Sequence, residues 1–225
     1  MIITDSLGAP RKDLDIIKYE DTWPSKVFEL MLKEHNYVNF IFTQKALDTD
    51  ELKRLVEMNL DLYDKEYLFI HIGIVDCARR VMSKKTLKVI SILPLVRNIV
   101  NFLARKYHKT LTKLYNINYV PLKRFYSNMD FILKQYSDVK KIFLIPILPA
   151  GYVQQKKSFR IQFQIENYNN VLKELSNKYN NVEYLEAIYN SFFPLNEENY
   201  ISDGYHISKK GHIIIYNEIS KILFN

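Results

Sequence analysis

The sequence predicts an α/β protein, a three-layer α/β/α sandwich with a central sheet of about five parallel strands. Two observations support this prediction. Short apolar runs alternate along the chain with longer segments of helical period, which is typical of a parallel sheet covered by helices. The 225 residues, 48% of them hydrophobic, are also sufficient to bury one sizeable core. We therefore expect a single domain spanning residues 1–225.

Five apolar runs are predicted to be the strands of a flavodoxin-like sheet. Each is short, rich in Ile, Val, Phe, Leu or Tyr, and bounded by polar or turn-forming residues. In chain order they cover residues 1–4, 37–43, 67–72, 141–147 and 182–187.

Helical periodicity predicts four further segments as helices. They cover residues 24–34, 49–59, 161–179 and 209–224. A longer stretch, at about residues 83–136, separates the third and fourth strands. It is predicted to hold more than one helix, because residues 116–121 interrupt its pattern. We expect this helical insertion to help shape a substrate cleft.

The composition excludes several classes of protein. Aromatic residues make up 14% of the chain, and it has only 5 Gly and 7 Pro, which fits neither a disordered chain nor a disulfide scaffold. Cys77 is the only cysteine, so one chain can form no disulfide and no cysteine-based zinc cluster. No run reaches the roughly 20 apolar residues of a membrane span, and the first residues lack a signal-peptide pattern. We expect a cytoplasmic protein without membrane insertion.

The formal net charge of +7 could suit an anionic partner such as nucleic acid. The densest basic stretch, residues 105–113, lies in a helical pattern, and the other Lys and Arg residues are scattered among acidic ones. We interpret this stretch as a solvated helix face and predict no nucleic-acid partner. The alternative requires a continuous basic face and strongly salt-dependent binding.

Three polar residues near the predicted sheet could carry out nucleophilic catalysis. Ser6 follows the first strand, and Asp203 and His206 precede the last helix. A serine hydroxyl becomes an effective nucleophile when an imidazole takes its proton, and the imidazole needs an acid to fix its tautomer. The Asp-x-x-His spacing lets one loop present both acid and base. We predict a catalytic triad of Ser6, His206 and Asp203.

These segments resemble the motifs of the SGNH (GDSL-like) hydrolase family. The family has Gly-Asp-Ser after its first strand, then a Gly, a Gly-x-Asn-Asp motif and a C-terminal Asp-x-x-His. In the same order this chain has Thr-Asp-Ser at residues 4–6, Gly-Ile-Val-Asp at 73–76 and Asp-Gly-Tyr-His at 203–206. The resemblance implies that Ser6 is the nucleophile and that its N–H is one donor of the oxyanion hole. We expect no cofactor.

The chain departs from the family motifs at three places. Thr4 replaces the first Gly, residues 42–46 contain no Gly for the second motif, and Val75 stands where the family has its oxyanion-hole Asn. Losing one such donor typically lowers the rate by about 10² to 10³.

Other residues are candidates for supporting the site. The missing Asn could be replaced by Arg79, Arg80 or a backbone N–H near Thr43. Gly73 and Asp76 belong to the third motif, where Asp76 could hold the loop together. Asp5 is predicted to fix the nucleophile loop through backbone hydrogen bonds.

The run Gly-Ile-Val-Asp-Cys-Ala-x-Arg resembles SGNH-like proteins of bacterial polysaccharide gene clusters. This resemblance implies a serine esterase or O-acyltransferase whose substrate is an O-acylated, notably O-acetylated, carbohydrate or glycan precursor. The alternative is a catalytically degenerate SGNH-like protein that serves as a binding or scaffold module of a polysaccharide pathway. Val75 favours the alternative, and the intact Ser6, Asp203 and His206 favour the enzyme.

The remaining histidines and the cysteine are assigned no catalytic role. His71 lies in an apolar strand and Cys77 follows one, so both are predicted to be buried. No motif surrounds the other histidines, which are His35, His108 and His212. A metal site would have to be assembled from Asp5, His71, Asp76, Asp203 and His206. Since these residues show no ligand spacing, we predict none.

Overall fold

Five parallel strands form one sheet at the centre of the protein. The computed structural model describes residues 1–12, 15–35, 40–58, 60, 65–92, 94–115 and 117–224. The strands are β1 (Ile2–Thr4), β2 (Ile41–Thr43), β3 (Tyr67–His71), β4 (Lys141–Leu144) and β5 (Val182–Tyr184). They lie in the order β2-β1-β3-β4-β5, and each neighbouring pair is parallel. The predicted α/β sheet is confirmed.

Helices cover both faces of this sheet. The longer ones are α1 (Trp23–His35), α2 (Thr49–Met58), α7 (Leu122–Gln135), α9 (Ile161–Lys178) and α11 (Lys209–Phe224). Helices α1 and α11 pack together on one face, and α2, α7 and α9 pack on the other. Three short helices lie at loops: α3 (Ile74–Cys77), α8 (Tyr152–Lys157) and α10 (Glu186–Asn190).

The two faces of the sheet bury two separate apolar cores, because side chains alternate along each strand. Ile3 pairs with Ile70 in register, and both point to the core beneath α2, α7 and α9. Ile2 pairs with Phe69, and both point to the core beneath α1 and α11. Strands buried on both faces read as continuous apolar runs, which is why short apolar runs bounded by turn-forming residues located them.

Some predicted strands are longer than the observed ones. Strand β4 ends at Leu144, and the run beyond it leaves the sheet. There the Ile147 N–H donates to Asn169 Oδ1 at 2.9 Å, and its carbonyl accepts from Asn169 Nδ2 at 2.9 Å. The predicted fifth strand overlaps α10, which begins at Glu186. Predicted strand residues 37–39 and helix residue 59 lie outside the described residues.

The predicted insertion consists of α4 (Lys84–Ser91), α5 (Pro94–Lys106) and α6 (His108–Tyr115), followed by α7 on the sheet. One link back to the domain is the His108 ring, whose Nδ1 lies 3.1 Å from the Lys157 carbonyl oxygen of α8. Among the described residues, no helix is both long and apolar enough to cross a membrane.

The strand order places a crevice at the end of β1. The chain moves outward from β1 to β2 and then crosses back to β3 on the other side of β1. In such sheets, ligands bind beyond the carboxyl ends of the strands at the point where the order reverses. The loops after β1 and β3 meet at this point, and they carry Ser6 and residues 73–76.

Candidate active site

The structure brings Ser6, His206 and Asp203 into one hydrogen-bonded chain. His206 Nε2 lies 3.1 Å from Ser6 Oγ, although the two residues are 200 positions apart. His206 Nδ1 lies 2.6 Å from Asp203 Oδ2. These distances suit a serine hydroxyl whose proton can pass to a ring nitrogen, with a carboxylate holding the other ring nitrogen. Their catalytic roles remain a prediction.

The loop that presents the acid and the base is organised by its own backbone. Asp203 Oδ1 accepts hydrogen bonds from the N–H groups of Tyr205 at 2.8 Å and His206 at 2.9 Å. Gly204 has a φ of 68°, and its carbonyl accepts the Gly151 N–H at 3.0 Å. A side chain at Gly204 would come within 2.9 Å of Val153 Cβ. Glycine is therefore required here by conformation and by space.

Asp203 is held in its ionised form. Partial burial alone would raise its pKa, but hydrogen bonds from the His206 ring and from two backbone N–H groups outweigh that effect and lower the pKa. An ionised Asp203 accepts the Nδ1 proton of His206, which leaves Nε2 free to take the proton of Ser6.

The nucleophile loop is tightened by Asp5. Its Oδ1 accepts the Leu7 N–H at 2.8 Å, and its own N–H donates to the His71 carbonyl at 3.2 Å. Thr4, which replaces a family glycine, faces Gly8, where an added Cβ would lie 2.5 Å from Thr4 Oγ1. Gly8 thus provides the space that Thr4 takes up.

Asp76 connects the loop after β3 to the start of α2. Its Oδ1 accepts hydrogen bonds from the Thr49 N–H at 2.9 Å and from Thr49 Oγ1 at 2.5 Å. Burial raises the pKa of Asp76 to about 8, against the effect of these bonds, and the nearby Asp48 and Asp5 raise it further. Burial likewise raises the pKa of Asp5 to about 7. Near neutral pH, these two acids therefore bind protons more tightly than ordinary carboxyls do.

The third motif supplies no side-chain amide. Val75 is buried in the core beside Ile74 and Cys77, where it can donate nothing. Gly73 has a φ of 121°, and a Cβ there would lie 2.6 Å from Ile147 Cδ1, so the turn into α3 requires glycine. The Ser6 N–H donates to no acceptor within the described residues, which leaves it available as an oxyanion donor.

The loop after β2 keeps the backbone shape that a glycine would adopt. Its Gln44 N–H donates to the Thr4 carbonyl at 3.2 Å, so that donor is occupied. In the described part of the chain, the N–H groups of Lys45 and Ala46 have no acceptor. Ala46 has a φ of 58°, a left-handed conformation unusual for any residue with a Cβ. The backbone donor predicted near Thr43 therefore has two available candidates.

Arg79 and Arg80 both lie against aromatic rings. The guanidinium carbon of Arg79 is 5.2 Å from the centre of the Phe159 ring, and that of Arg80 is 4.7 Å from the centre of the Tyr119 ring. In each arginine, the Nε is buried without a partner among the described residues. The structure places both side chains beside the loop after β3, and a role in the oxyanion hole remains a prediction.

Three of the other singled-out residues, His71, His212 and Cys77, are buried. His71 is buried against Trp23 with a ring distance of 5.8 Å, and burial lowers its pKa to about 3. His212 accepts the Trp23 N–H at 3.1 Å, and burial lowers its pKa to about 3 as well. Cys77 is buried, and burial raises the pKa of its thiol. Within the described ranges, no three His, Cys, Asp or Glu residues form a group that could hold a metal ion.

Two asparagines that fix the site were not identified from the sequence. Asn118 Nδ2 donates to the Cys77 carbonyl at 2.5 Å and so holds the end of α3. Asn169 fixes the backbone of Ile147, which packs against Gly73. A buried asparagine on the apolar face of a helix was the available signal for Asn169. Asn118 lies in the interrupted stretch and gave no such signal.

Comparisons with known proteins find likeness in structure only. No family model and no curated protein matches the sequence. An acetylxylan esterase from Geobacillus stearothermophilus matches with a TM-score of 0.64 at 15% identity, over 100% of this chain and 93% of that one. A lipase/acylhydrolase from Enterococcus faecalis matches with a TM-score of 0.60 at 17% identity, over 99% and 94%.

Two further structures of the Geobacillus esterase are of catalytic mutants in which a serine or an aspartate is replaced by alanine. The protein called TesA matches with a TM-score of 0.62 at 11% identity, over 99% of this chain and 96% of that one. The motif resemblance and the structural likeness thus agree, and this chain has the three-layer α/β/α fold of the SGNH hydrolases.

Proposed function

We propose that this protein is a serine acyl-ester hydrolase whose nucleophile is Ser6. The observation that carries the proposal is the hydrogen-bonded chain from Ser6 Oγ through His206 to Asp203. The three residues come from two loops that meet at the end of β1, where the strand order reverses and where this fold class binds its ligands. The likeness to acetylxylan esterase and lipase/acylhydrolase structures supports the same chemistry.

The geometry supports a two-step reaction. Ser6 Oγ attacks the ester carbonyl while its proton moves to His206 Nε2, and Asp203 stabilises the imidazolium that forms. The carbonyl oxygen takes up the negative charge, and the Ser6 N–H is placed to donate to it. The tetrahedral intermediate then expels the alcohol, which takes its proton from His206, and the acyl group remains on Ser6. Water, deprotonated by His206, releases the acid and restores the enzyme.

An O-acetylated carbohydrate is the substrate class that we propose. The support is the similarity to a structure named acetyl-xylooligosaccharide esterase and the resemblance of the third motif to proteins of polysaccharide gene clusters. A cavity of about 700 Å³ lies next to the loops that follow β1 and β2, although Ser6, Asp203 and His206 are not among its lining residues. Pro10 and Lys45, from the loops after β1 and β2, form part of its wall.

The direct test compares wild-type protein with the Ser6→Ala variant on p-nitrophenyl acetate and on acetylated xylo-oligosaccharides. We expect Ser6→Ala to lower kcat by at least about 10³, because the nucleophile is lost. Mass spectrometry of wild-type protein quenched during turnover should show an acetyl adduct on the peptide that contains Ser6. The matched control is Ser25→Ala, which removes a buried hydroxyl bonded to the Tyr19 carbonyl at 2.6 Å. Equal turnover by wild type and Ser6→Ala would refute the proposal.

Acyl transfer to a sugar hydroxyl is a variant of the same mechanism, in which the sugar replaces water at the second step. Adding free oligosaccharide acceptors to the assay distinguishes the two reactions. A hydrolase releases acetate at the same rate as p-nitrophenol, whereas a transferase forms an acetylated acceptor in its place.

One observation favours a second candidate, a binding module that has lost activity. Val75 replaces the amide donor of the family with a buried apolar side chain. Such a module would retain the cleft and bind acetylated oligosaccharide without turning it over. Calorimetric binding to a folded protein that shows neither turnover nor an acyl adduct would support this candidate.

A further inference from the structure

The insertion helices α4, α5 and α6 carry an unusual charge. Residues 84–115 contain eight Lys and Arg residues and no Asp or Glu. Of the 32 basic residues in the chain, 24 therefore lie elsewhere, against 25 acidic ones. The positive net charge of the protein thus comes from this one segment. Its basic side chains are all exposed: Lys84, Lys85, Lys88, Arg97, Arg105, Lys106, Lys109 and Lys113.

The same helices expose large apolar side chains. Ile92 is 74% exposed, Leu114 72%, Val89 63%, Phe102 63% and Ile99 62%. Within the described residues, the insertion holds ten of the twenty large hydrophobic side chains that are exposed. No residue of α4 is buried. Isolated apolar side chains on a surface are ordinary, but this concentration in one segment marks an interaction site.

The exposed apolar side chains of helix α5 are concentrated along one side of the helix. Val96, Ile99 and Phe102 recur at intervals of three residues, so they lie along one side of the helix. Val100 and Ala104 lie on the adjoining flank of the same helix, and with residues of α4 and α6 they line a cavity of about 510 Å³. One flank of the apolar face thus lines this cavity, whereas Ile99 and Phe102 on the other flank are 62% and 63% exposed.

We infer that the insertion docks on an anionic lipid membrane. An amphipathic helix with Lys and Arg around an apolar face lies in the interface of a membrane, with the apolar side chains among the acyl chains and the cations at the headgroups. Acidic lipids attract such basic segments. The absence of any acidic residue from 84–115 removes the repulsion that such a surface would otherwise exert. This is a contact with one surface and involves no spanning helix.

Two other occupants fit the surface less well. A second copy of the chain would bring two segments with the same eight charges together, which repel each other. A nucleic acid would pair with the cations, but it would leave the stripe of Ile99 and Phe102 in water, since phosphates offer nothing apolar. Of the three, only a membrane interface matches both properties at once.

Docking would orient the candidate active site relative to the membrane. The insertion begins four residues after Arg80, in the loop that follows β3. Through His108 it contacts α8, and the residue before α8, Gly151, bonds to Gly204 in the loop of His206. The surface that binds lipid is therefore linked to the loops that carry the site. Binding of lipid by the insertion does not depend on catalysis by Ser6.

Vesicle cosedimentation tests the inference. The probes are vesicles of phosphatidylcholine alone and of phosphatidylcholine with about 30% phosphatidylglycerol, at low and high salt. Wild-type protein should bind the anionic vesicles at least about tenfold more tightly, with the difference reduced by salt. The Ser6→Ala variant should bind like wild type, so that loss of catalysis and loss of docking are separate results.

Two double variants identify the surface, each with a matched control. Ile99→Ser with Phe102→Ser removes the apolar stripe, and Lys85→Gln with Lys88→Gln removes two charges; each should weaken binding at least about fivefold. The apolar control is Phe163→Ser with Ile213→Ser, which are exposed on α9 and α11. The charge control is Lys12→Gln with Lys33→Gln, both exposed. Neither control should change binding.

Several results would overturn the inference. One is that wild-type protein binds neutral and anionic vesicles equally well. Another is that neither double variant of the insertion changes binding to anionic vesicles. A further one is self-association, measured by analytical ultracentrifugation, that Ile99→Ser with Phe102→Ser abolishes, because the occupant would then be a second copy. Tighter binding to duplex DNA than to vesicles, unchanged by loss of the apolar stripe, would identify a nucleic-acid surface. Circular dichroism confirms that each variant is folded.

Discussion

Asp203 holds His206 at two points, through its ring and through its backbone. Asp203 Oδ2 lies 2.6 Å from His206 Nδ1, and Asp203 Oδ1 accepts the His206 N–H at 2.9 Å. A single carboxylate thus fixes both the position of the His206 backbone and the orientation of its ring. The arrangement needs only the three-residue spacing and a turn at Gly204, so the pair is organised before any substrate binds.

The first prediction concerns the charge of Asp203. In the Asp203→Asn variant, an amide Nδ2–H can face His206 Nδ1 and hold the ring in the wrong tautomer, so we expect kcat to fall by about 10³ to 10⁴. Steady-state kinetics on p-nitrophenyl acetate measures the loss. The control is Asp21→Asn, whose carboxylate pairs with Lys209, the first residue of α11, at 2.8 Å. A loss below about tenfold would contradict the assigned role.

The second prediction concerns the left-handed backbone at Ala46. Glycine adopts this conformation without the strain that a Cβ causes, although it loses more entropy on folding. We expect Ala46→Gly to raise the free energy of unfolding by about 0.5 to 1 kcal/mol, measured by urea denaturation. The opposite sign is expected for Ala187→Gly, which lies in the right-handed helix α10. A loss of stability in Ala46→Gly would show that its methyl group stabilises the loop.

The third prediction concerns the pH dependence of stability. The pKa of Asp76 is about 8 in the folded protein against an ordinary value of 3.8. Between these values the unfolded chain has released a proton that the folded protein keeps, so stability falls as pH rises through this window. Asp76→Asn retains an oxygen acceptor for Thr49 and cannot titrate.

Denaturation at a series of pH values between about 4 and 8 tests this prediction. We expect a flatter profile for Asp76→Asn and, at the alkaline end, a gain on the order of 1 kcal/mol over wild type. A residual slope should remain, because the pKa of Asp5 is also raised. Asp15→Asn, which removes an exposed carboxylate, is the control and should follow wild type. Parallel profiles for Asp76→Asn and wild type would show that Asp76 is not the titrating group.

The fourth prediction concerns the donor that replaces the missing amide. Arg79 has a buried Nε without a partner among the described residues, and Phe159 holds its guanidinium in place. If it binds the oxyanion, Arg79→Gln should lower kcat by about 10² with little change in KM, because the contact forms only in the transition state. Arg80→Gln tests the second candidate, since Arg80 lies against the ring of Tyr119, before α7, and its Nε is likewise buried without a partner among the described residues. A loss confined to Arg80→Gln would transfer the role to that residue.

The sequence by itself determined the five strands of the sheet and the pairing of Asp203 with His206 on one loop. Alternating apolar runs located five strands, because a strand buried on both faces must be apolar throughout. The Asp-x-x-His spacing predicted an acid and a base on one loop, because hydrogen bonds between residues three apart depend on local geometry alone. The prediction of β4 was too long at its carboxyl end. There the backbone of Ile147 forms hydrogen bonds with the side chain of Asn169, a residue distant in the sequence, and not with a neighbouring strand.

Only the tertiary structure decided what meets across the sheet. The strand order places the loop of Ser6 beside that of Asp76, and the fold brings His206 to Ser6 from 200 residues away. It also showed that Thr49 is the partner of Asp76 and that the outer side of α5 is left exposed. Periodicity encodes which face of an element is apolar, but not which other element will cover it. That choice is made by packing between residues far apart in the chain.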